Sequence, residues 1–101
     1  MAKLDKNGYA DSIFDTEPGK CYICGGEGDT VRHEVFYGHK DRKMSKWKGC
    51  WLNICPSCHR IIHEKPDNGK LDRSLKRGCY HKYCELYGRE VFFAHFRRYY
   101  D

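Results

Sequence analysis

The sequence predicts a small α+β domain that is stabilised by zinc. Three observations carry this prediction: two Cys-x-x-Cys pairs, a short stretch of alternating β-branched and aromatic residues, and three later segments with helical periodicity. A chain of 101 residues is one domain with a modest apolar core, and a structural metal would add folding free energy. We divide it into an N-terminal extension, residues 1–20, and a single zinc domain with a helical C-terminal tail, residues 21–101.

The cysteine spacing indicates a metal site in a reducing compartment. Cys21 and Cys24 form the first pair, and Cys55 and Cys58 form the second. Two thiolates three residues apart in a tight turn can bind one face of a tetrahedral ion, so we predict that all four cysteines hold a structural Zn²⁺. The alternative is that one pair is a redox dithiol. The odd count of seven cysteines, the polar N-terminus and the lack of an 18-residue apolar run favour a cytoplasmic protein over an exported or membrane protein.

The first half of the domain predicts a β-hairpin. Residues 30–37 alternate in character, which is typical of a half-buried strand, with His33 on one face and Glu34 on the other. Residues 38–49 predict a basic loop, and residues 50–54 predict a second short strand. The two strands therefore form a hairpin with a long basic connection.

The second half predicts three helices. The first covers about residues 56–65, because proline suits a first helical turn and Pro66 stops it. The second covers about residues 70–87, with an apolar stripe at steps of three or four, and ends at Gly88. The third covers about residues 89–100.

Three histidines predict a second metal position. His59 and His63 lie four residues apart and share a face of the first predicted helix, so they can bind one cation. The four cysteines already complete a tetrahedral shell and need neither histidine. His33, on the preceding strand, comes within reach if the hairpin packs on the helix.

A basic stretch predicts contact with nucleic acid. Residues 39–49 carry five basic side chains and one acidic one, and the whole chain has a net charge of +5. Basic side chains pair with phosphates without reading sequence. Trp47, within this stretch, could stack on a base or cover the hairpin. The predicted nucleic-acid-binding residues are Arg32, Lys40, Arg42, Lys43, Lys46 and Lys48.

Taken in order, these segments resemble the HNH endonuclease family, and more narrowly its small bacterial and bacteriophage-associated members with a four-cysteine zinc site. The motifs that carry the resemblance are RHEVFYG (32–38), DRKMS (41–45), CPSCHRIIH (55–63) and LKRGCYHKYCELYG (75–88). The resemblance covers roughly residues 9–101. It implies a treble-clef-like ββα-metal core in which a hairpin and a helix hold a catalytic divalent cation, followed by two additional C-terminal helices.

The resemblance also implies site residues. His33, Glu34, Asn53 and His59 would be catalytic, and His33, His59 and His63 would hold Mg²⁺ or another divalent cation. In one register His33 is a ligand and Glu34 is the general base; in the other, Arg32 faces the metal and His33 is the base. Asn53 either orients the histidine across the strands or is a surface strand residue.

The implied activity is metal-assisted hydrolysis of DNA phosphodiester bonds, as nicking or double-strand cleavage with low sequence specificity. The expected setting is the cytoplasm of a bacterial or phage-infected cell. Two alternatives stay open. The protein is a catalytically weak or inactive zinc-stabilised DNA-binding module, or it is an accessory protein that works beside a partner, for example in phage DNA packaging. The oligomeric state cannot be read from the sequence.

Overall fold

Two short antiparallel strands form the sheet of this protein. The computed structural model describes residues 3–100. Strand β1 is Val31–Glu34 and strand β2 is Trp51–Ile54, and in their register His33 lies opposite Leu52. Each strand has four residues, so β1 is shorter than the alternating pattern predicted.

A helix occupies the segment that the sequence predicted as a basic loop. This helix, α1, is His39–Trp47 and begins after Gly38, whose φ is 106°. The buried Ser45 hydroxyl donates to the carbonyl of Phe36 at 2.7 Å and accepts from its N–H at 3.1 Å, which ties the helix to the end of β1. The loop prediction for residues 38–49 is therefore wrong. Ser45 is the one fully buried residue of this helix, so its sequence shows no apolar stripe.

Three helices follow β2: α2 is Pro56–Glu64, α3 is Lys70–Tyr87 and α4 is Arg89–Phe96. They confirm the three predicted helices, except that α4 ends before residue 100 because Arg97 takes a left-handed conformation, with φ of 61°. A small α+β domain with a two-stranded sheet and four helices is thus confirmed. Within residues 3–100, none of the helices is both long and apolar enough to cross a bilayer.

The core joins the sheet to the helices. Helix α2 packs on β1, and α4 packs on α3 and α1. The Phe36 ring, just after β1, contacts the rings of Phe92 and Phe96 with centroids 5.3 and 4.7 Å apart. The side chains buried in this core include Val35, Phe36, Cys50, Leu52, Ile54, Ile62, Cys79, Tyr80, Tyr83, Phe92 and Phe96.

The N-terminal segment, residues 3–20, packs against the other face of the sheet and the end of α1. The Trp51 indole N–H donates to the Ala10 carbonyl at 2.7 Å, and the Ala10 N–H donates to the Lys46 carbonyl at 2.8 Å. The contact is close at Gly49, where a Cβ atom would come within 2.3 Å of the Asp11 carbonyl oxygen. Only glycine therefore fits this position, which also has φ of 75°.

Candidate metal centres

The structure brings all four predicted cysteines together. The Sγ atoms of Cys21, Cys24, Cys55 and Cys58 lie within 4.8 Å of one another, and those of Cys24 and Cys55 are 3.9 Å apart. In a tetrahedral shell with zinc–sulfur bonds of about 2.3 Å, the sulfur atoms are about 3.8 Å apart. The four cysteines could therefore coordinate a metal ion, and their spacing is compatible with structural zinc.

Each cysteine pair sits in a turn that directs backbone N–H groups at sulfur. The Cys24 N–H donates to the Sγ of Cys21 at 3.4 Å, and the Cys58 N–H donates to the Sγ of Cys55 at 3.4 Å. Burial disfavours ionisation of Cys21, but backbone N–H groups, foremost that of Cys24, outweigh burial and lower the pKa of Cys21 to about 6. A thiolate near neutral pH is the form that binds a metal.

The three predicted histidines also converge. His33 lies on β1, and His59 and His63 lie one turn apart on α2. The potential ligand nitrogens of the three rings lie within 4.8 Å of one another, and the Nε2 atoms of His59 and His63 are 3.0 Å apart. The cluster forms because Cys55 caps the N-terminus of α2, which fixes where His59 and His63 leave the helix relative to β1.

His33 is buried, and one of its two ring nitrogens lacks a hydrogen-bond partner among the described residues. Its side chain is 2% exposed, and its Nε2 has no partner within the described residues 3–100. Burial, reinforced by the charges of His59 and His63, lowers the pKa of His33 to about 3. Burial and the charge of His63 also lower the pKa of His59, against the opposing effect of Glu34. Both rings are therefore neutral at pH 7.

These histidines fit a divalent cation. A buried polar atom without a partner costs roughly 1–3 kcal/mol, and a metal ion is one partner that would satisfy it. Neutral imidazole nitrogens on neighbouring elements are common ligands of divalent metals. The fit rests on the unpartnered Nε2 of His33, whose ring centroid lies 5.4 and 5.6 Å from those of His59 and His63.

The histidines line a small open cavity of about 140 Å³. Its other lining residues are Arg32, Glu34, Tyr37 and Arg42. The Glu34 carboxylate accepts a hydrogen bond from the Tyr9 hydroxyl at 2.8 Å and lies 3.5 Å from Nε of Arg42. A held carboxylate and an exposed guanidinium therefore flank the imidazole cluster.

A polar network behind the cluster gave no signal in the sequence. The Tyr37 ring lies beside the rings of His63 and His33, with centroids 5.1 and 5.9 Å apart. Its hydroxyl donates to Oδ2 of Asp72 at 2.9 Å, and Nζ of Lys76 lies 3.1 Å from the same oxygen. Asp72 is 5% exposed, yet in the sequence it resembles any acidic residue in a first helical turn.

Two predicted site residues, Arg32 and Asn53, contact the N-terminal segment. Asn53 pairs with Arg32 across the strands, so both side chains leave the sheet on the face opposite His33. The side-chain amide nitrogen of Asn53 contacts the Thr16 hydroxyl at 3.4 Å, and the Arg32 guanidinium pairs with the Asp5 carboxylate at 2.8 Å. The structure thus joins both side chains to the N-terminal segment; Arg32 also lines the cavity of the three histidines, whereas Asn53 does not.

The predicted phosphate-binding lysines are distributed around α1 and its end. Lys40 and Lys43 are exposed, whereas Lys46 and Lys48 are half-buried. Nζ of Lys46 lies 4.7 Å from the centroid of the Tyr9 ring, so this lysine also holds the N-terminal segment. Lys40 and Lys43 are the two that present free charge to a polyanion.

Comparison with known proteins adds no relative. No family model matches the chain, and neither a curated protein nor a solved structure is significantly similar to it. Any functional conclusion therefore depends on the two clusters and the residues that surround them.

Proposed function

We propose that the protein is a divalent-metal-dependent endonuclease of the HNH type that hydrolyses DNA phosphodiester bonds. The observation that carries the proposal is the convergence of three imidazoles, one with a buried and unpartnered Nε2, next to a four-cysteine cluster. In this proposal β1, β2 and α2 form a ββα-metal core. The cysteine cluster holds structural Zn²⁺, and the histidine cluster holds Mg²⁺, Mn²⁺ or another divalent cation.

The division of roles follows from which atoms face each other. His33, His59 and His63 direct nitrogens at one another, so all three are assigned as ligands. Glu34 is then the group left at the cavity to accept the proton of an attacking water. Its carboxylate is 13% exposed and is oriented by Tyr9 and Arg42, as a positioned base must be.

The remaining chemistry is electrostatic. A bound divalent cation would polarise a phosphate oxygen and offset negative charge on the leaving oxygen. The Arg42 guanidinium is 58% exposed on the same cavity, where it can contact a non-bridging phosphate oxygen. Tyr37, held through Asp72, keeps the His63 ring in place from behind.

The test is nicking of supercoiled plasmid with Mg²⁺ or Mn²⁺ and with EDTA. We expect cation-dependent nicking by the wild-type protein and its loss in His59→Ala, with the cysteine-bound metal and thermal stability unchanged. His81→Ala is the matched control, because His81 is an exposed α3 histidine outside the cluster, and it should cut normally.

Glu34→Gln tests the base. A loss of nicking comparable to that of His33→Ala, with cation binding retained, supports Glu34 as the base; near-normal activity assigns that role to His33. A wild-type protein that binds DNA but does not cut it with any divalent cation would refute the proposal that the protein is an endonuclease. Release of the structural metal by His59→Ala would make His59 a structural ligand, and the wild-type protein would then be a zinc-stabilised DNA-binding module and not an enzyme.

A further inference from the structure

A groove of about 840 Å³ lies where α1 and the end of α4 approach each other. Met44 and Phe96 supply apolar lining, and Asp41 is the sole carboxylate among the described lining residues, where it lies 3.8 Å from Arg98. The cationic or titratable side chains that line the groove are His39, Lys40, Lys43, His95, Arg97 and Arg98. The groove therefore combines apolar lining residues with an excess of positive charge.

The indole ring of Trp47 is exposed to solvent in this groove. Trp47, the last residue of α1, is 43% exposed and lines the groove with Lys43 and Arg97. Bases in a duplex are stacked on each other, whereas an unpaired base has a face free for an indole ring. A basic groove with an exposed aromatic side chain is typical of sites for single-stranded nucleic acid.

The groove shares a lining residue with each of two neighbouring cavities. Tyr37 lines both the groove and the cavity of the three histidines. Arg98 lines both the groove and a second basic cleft of about 290 Å³, which also contains Arg73, Lys76 and Arg77. A strand lying in the groove would therefore be close to both the histidine cavity and the second basic cleft.

We propose that the groove between α1 and α4 binds a single-stranded stretch of nucleic acid. One base stacks on Trp47, Lys43 and Arg97 contact its phosphates, and the strand continues past Tyr37 toward the histidine cluster. This deepens the proposed function and rests on it for cleavage, because it names the substrate class: DNA with a single-stranded segment beside the scissile bond. Binding in the groove itself requires no cation.

The binding test uses a labelled oligothymidylate of about 20 nucleotides and a blunt duplex of equal length, in EDTA at about 0.1 M salt. We expect the single strand to bind at least about 5-fold more tightly than the duplex and to quench tryptophan fluorescence. Trp47→Ala should weaken binding of the single strand about 5- to 100-fold, the range for loss of one base–aromatic stack.

Charge reversal provides the matched comparison. Lys43→Glu and Arg97→Glu replace exposed side chains and should each weaken oligothymidylate binding several-fold with circular dichroism unchanged. Lys82→Glu reverses an exposed α3 lysine that lines neither basic cleft and should bind as wild type. If Trp47→Ala does not fold, the two charge variants decide the question.

The outcomes separate this proposal from the proposed nuclease activity. The single-strand site would be overturned, whether or not the protein cuts DNA, if the duplex bound as tightly as the single strand or more tightly. Equal losses of oligothymidylate affinity in Lys43→Glu and Lys82→Glu would overturn it as well. Tight, Trp47-dependent binding by a protein that never nicks would refute the nuclease and support the groove. With both correct, a duplex with a single-stranded tail should be cut faster than a blunt one, and Trp47→Ala should remove that difference.

Discussion

Replacing His33 by leucine should stabilise the protein while it abolishes binding of the second cation. The wild-type side chain is 2% exposed, and its Nε2 atom lacks a partner within residues 3–100. Leaving such a group buried costs roughly 1–3 kcal/mol, a penalty that an apolar side chain of similar size does not incur. With zinc bound and no other divalent cation present, we expect His33→Leu to raise the free energy of unfolding by about 1 kcal/mol or more.

The assay is urea and thermal unfolding at neutral pH, with and without Mn²⁺. For a chain of this length 1 kcal/mol corresponds to a Tm shift of about 4–8 °C. Mn²⁺ at about 100 times its Kd should raise the free energy of unfolding of the wild-type protein by about 2.7 kcal/mol and leave that of His33→Leu unchanged. His81→Leu, at an exposed position, should stay within about 0.5 kcal/mol of wild type.

A destabilised His33→Leu protein would refute this reasoning, because it would mean that the imidazole makes favourable contacts in the absence of any cation. Equal Mn²⁺ stabilisation of wild type and variant would separately show that His33 is not a ligand. A gain in stability together with loss of cation binding is the expected signature of a residue kept for function at a cost in stability.

Three further predictions concern metal binding by the cysteine cluster, stability at acidic pH and the salt dependence of DNA binding. Cys55→Ser should release the metal of the cysteine cluster, measured by atomic emission, and largely unfold the chain, because structural zinc supplies on the order of 10 kcal/mol of folding free energy. Cys84→Ser, a substitution outside the cluster, should retain the metal. A folded, metal-free wild-type protein would contradict the prediction. Because the pKa of His33 is lowered to about 3, the unfolded state binds a proton between pH 6.5 and 3 that the folded state does not. Stability should therefore fall as pH falls through this window, by up to about 1.4 kcal/mol per pH unit, and the slope should be smaller in His33→Leu. Replacing Lys40 and Lys43 together by glutamine should reduce the slope of log affinity for DNA against log salt by about 1.4–1.8 if both contact phosphates, and an unchanged slope would exclude both contacts.

The cysteine cluster and the histidine cluster could both be predicted because each depends on local spacing. Two cysteines three apart must share a turn, and His59 and His63, four apart after a proline at the first helical position, must share a face. The convergence of His33 on them needed only that the hairpin pack on the helix that follows it. Such constraints act over few residues and survive tertiary packing.

The remaining features depend on contacts distant in sequence. Helix α1 is held by Ser45 and by α4, so its own residues carry a polar pattern that resembles a loop. The hydrogen bond from Tyr37 to Asp72 joins residues 35 positions apart, and nothing in either neighbourhood indicates the other. The basic groove likewise requires the end of α4 to lie against α1, which no periodicity reveals.

The packing of the N-terminal segment has a practical consequence for shortened versions of the chain. Residues 3–20 cover one face of the sheet, donate backbone N–H groups to the carbonyls of Lys46 and Gly49, and supply the Tyr9 hydroxyl to Glu34. A fragment that starts at Cys21 would bare Trp51 and release Glu34 from one of its two anchors. We expect such a fragment to self-associate through the uncovered sheet. A low cutting rate measured on it would therefore not be a test of the proposed nuclease activity, because the missing segment would itself disturb the protein.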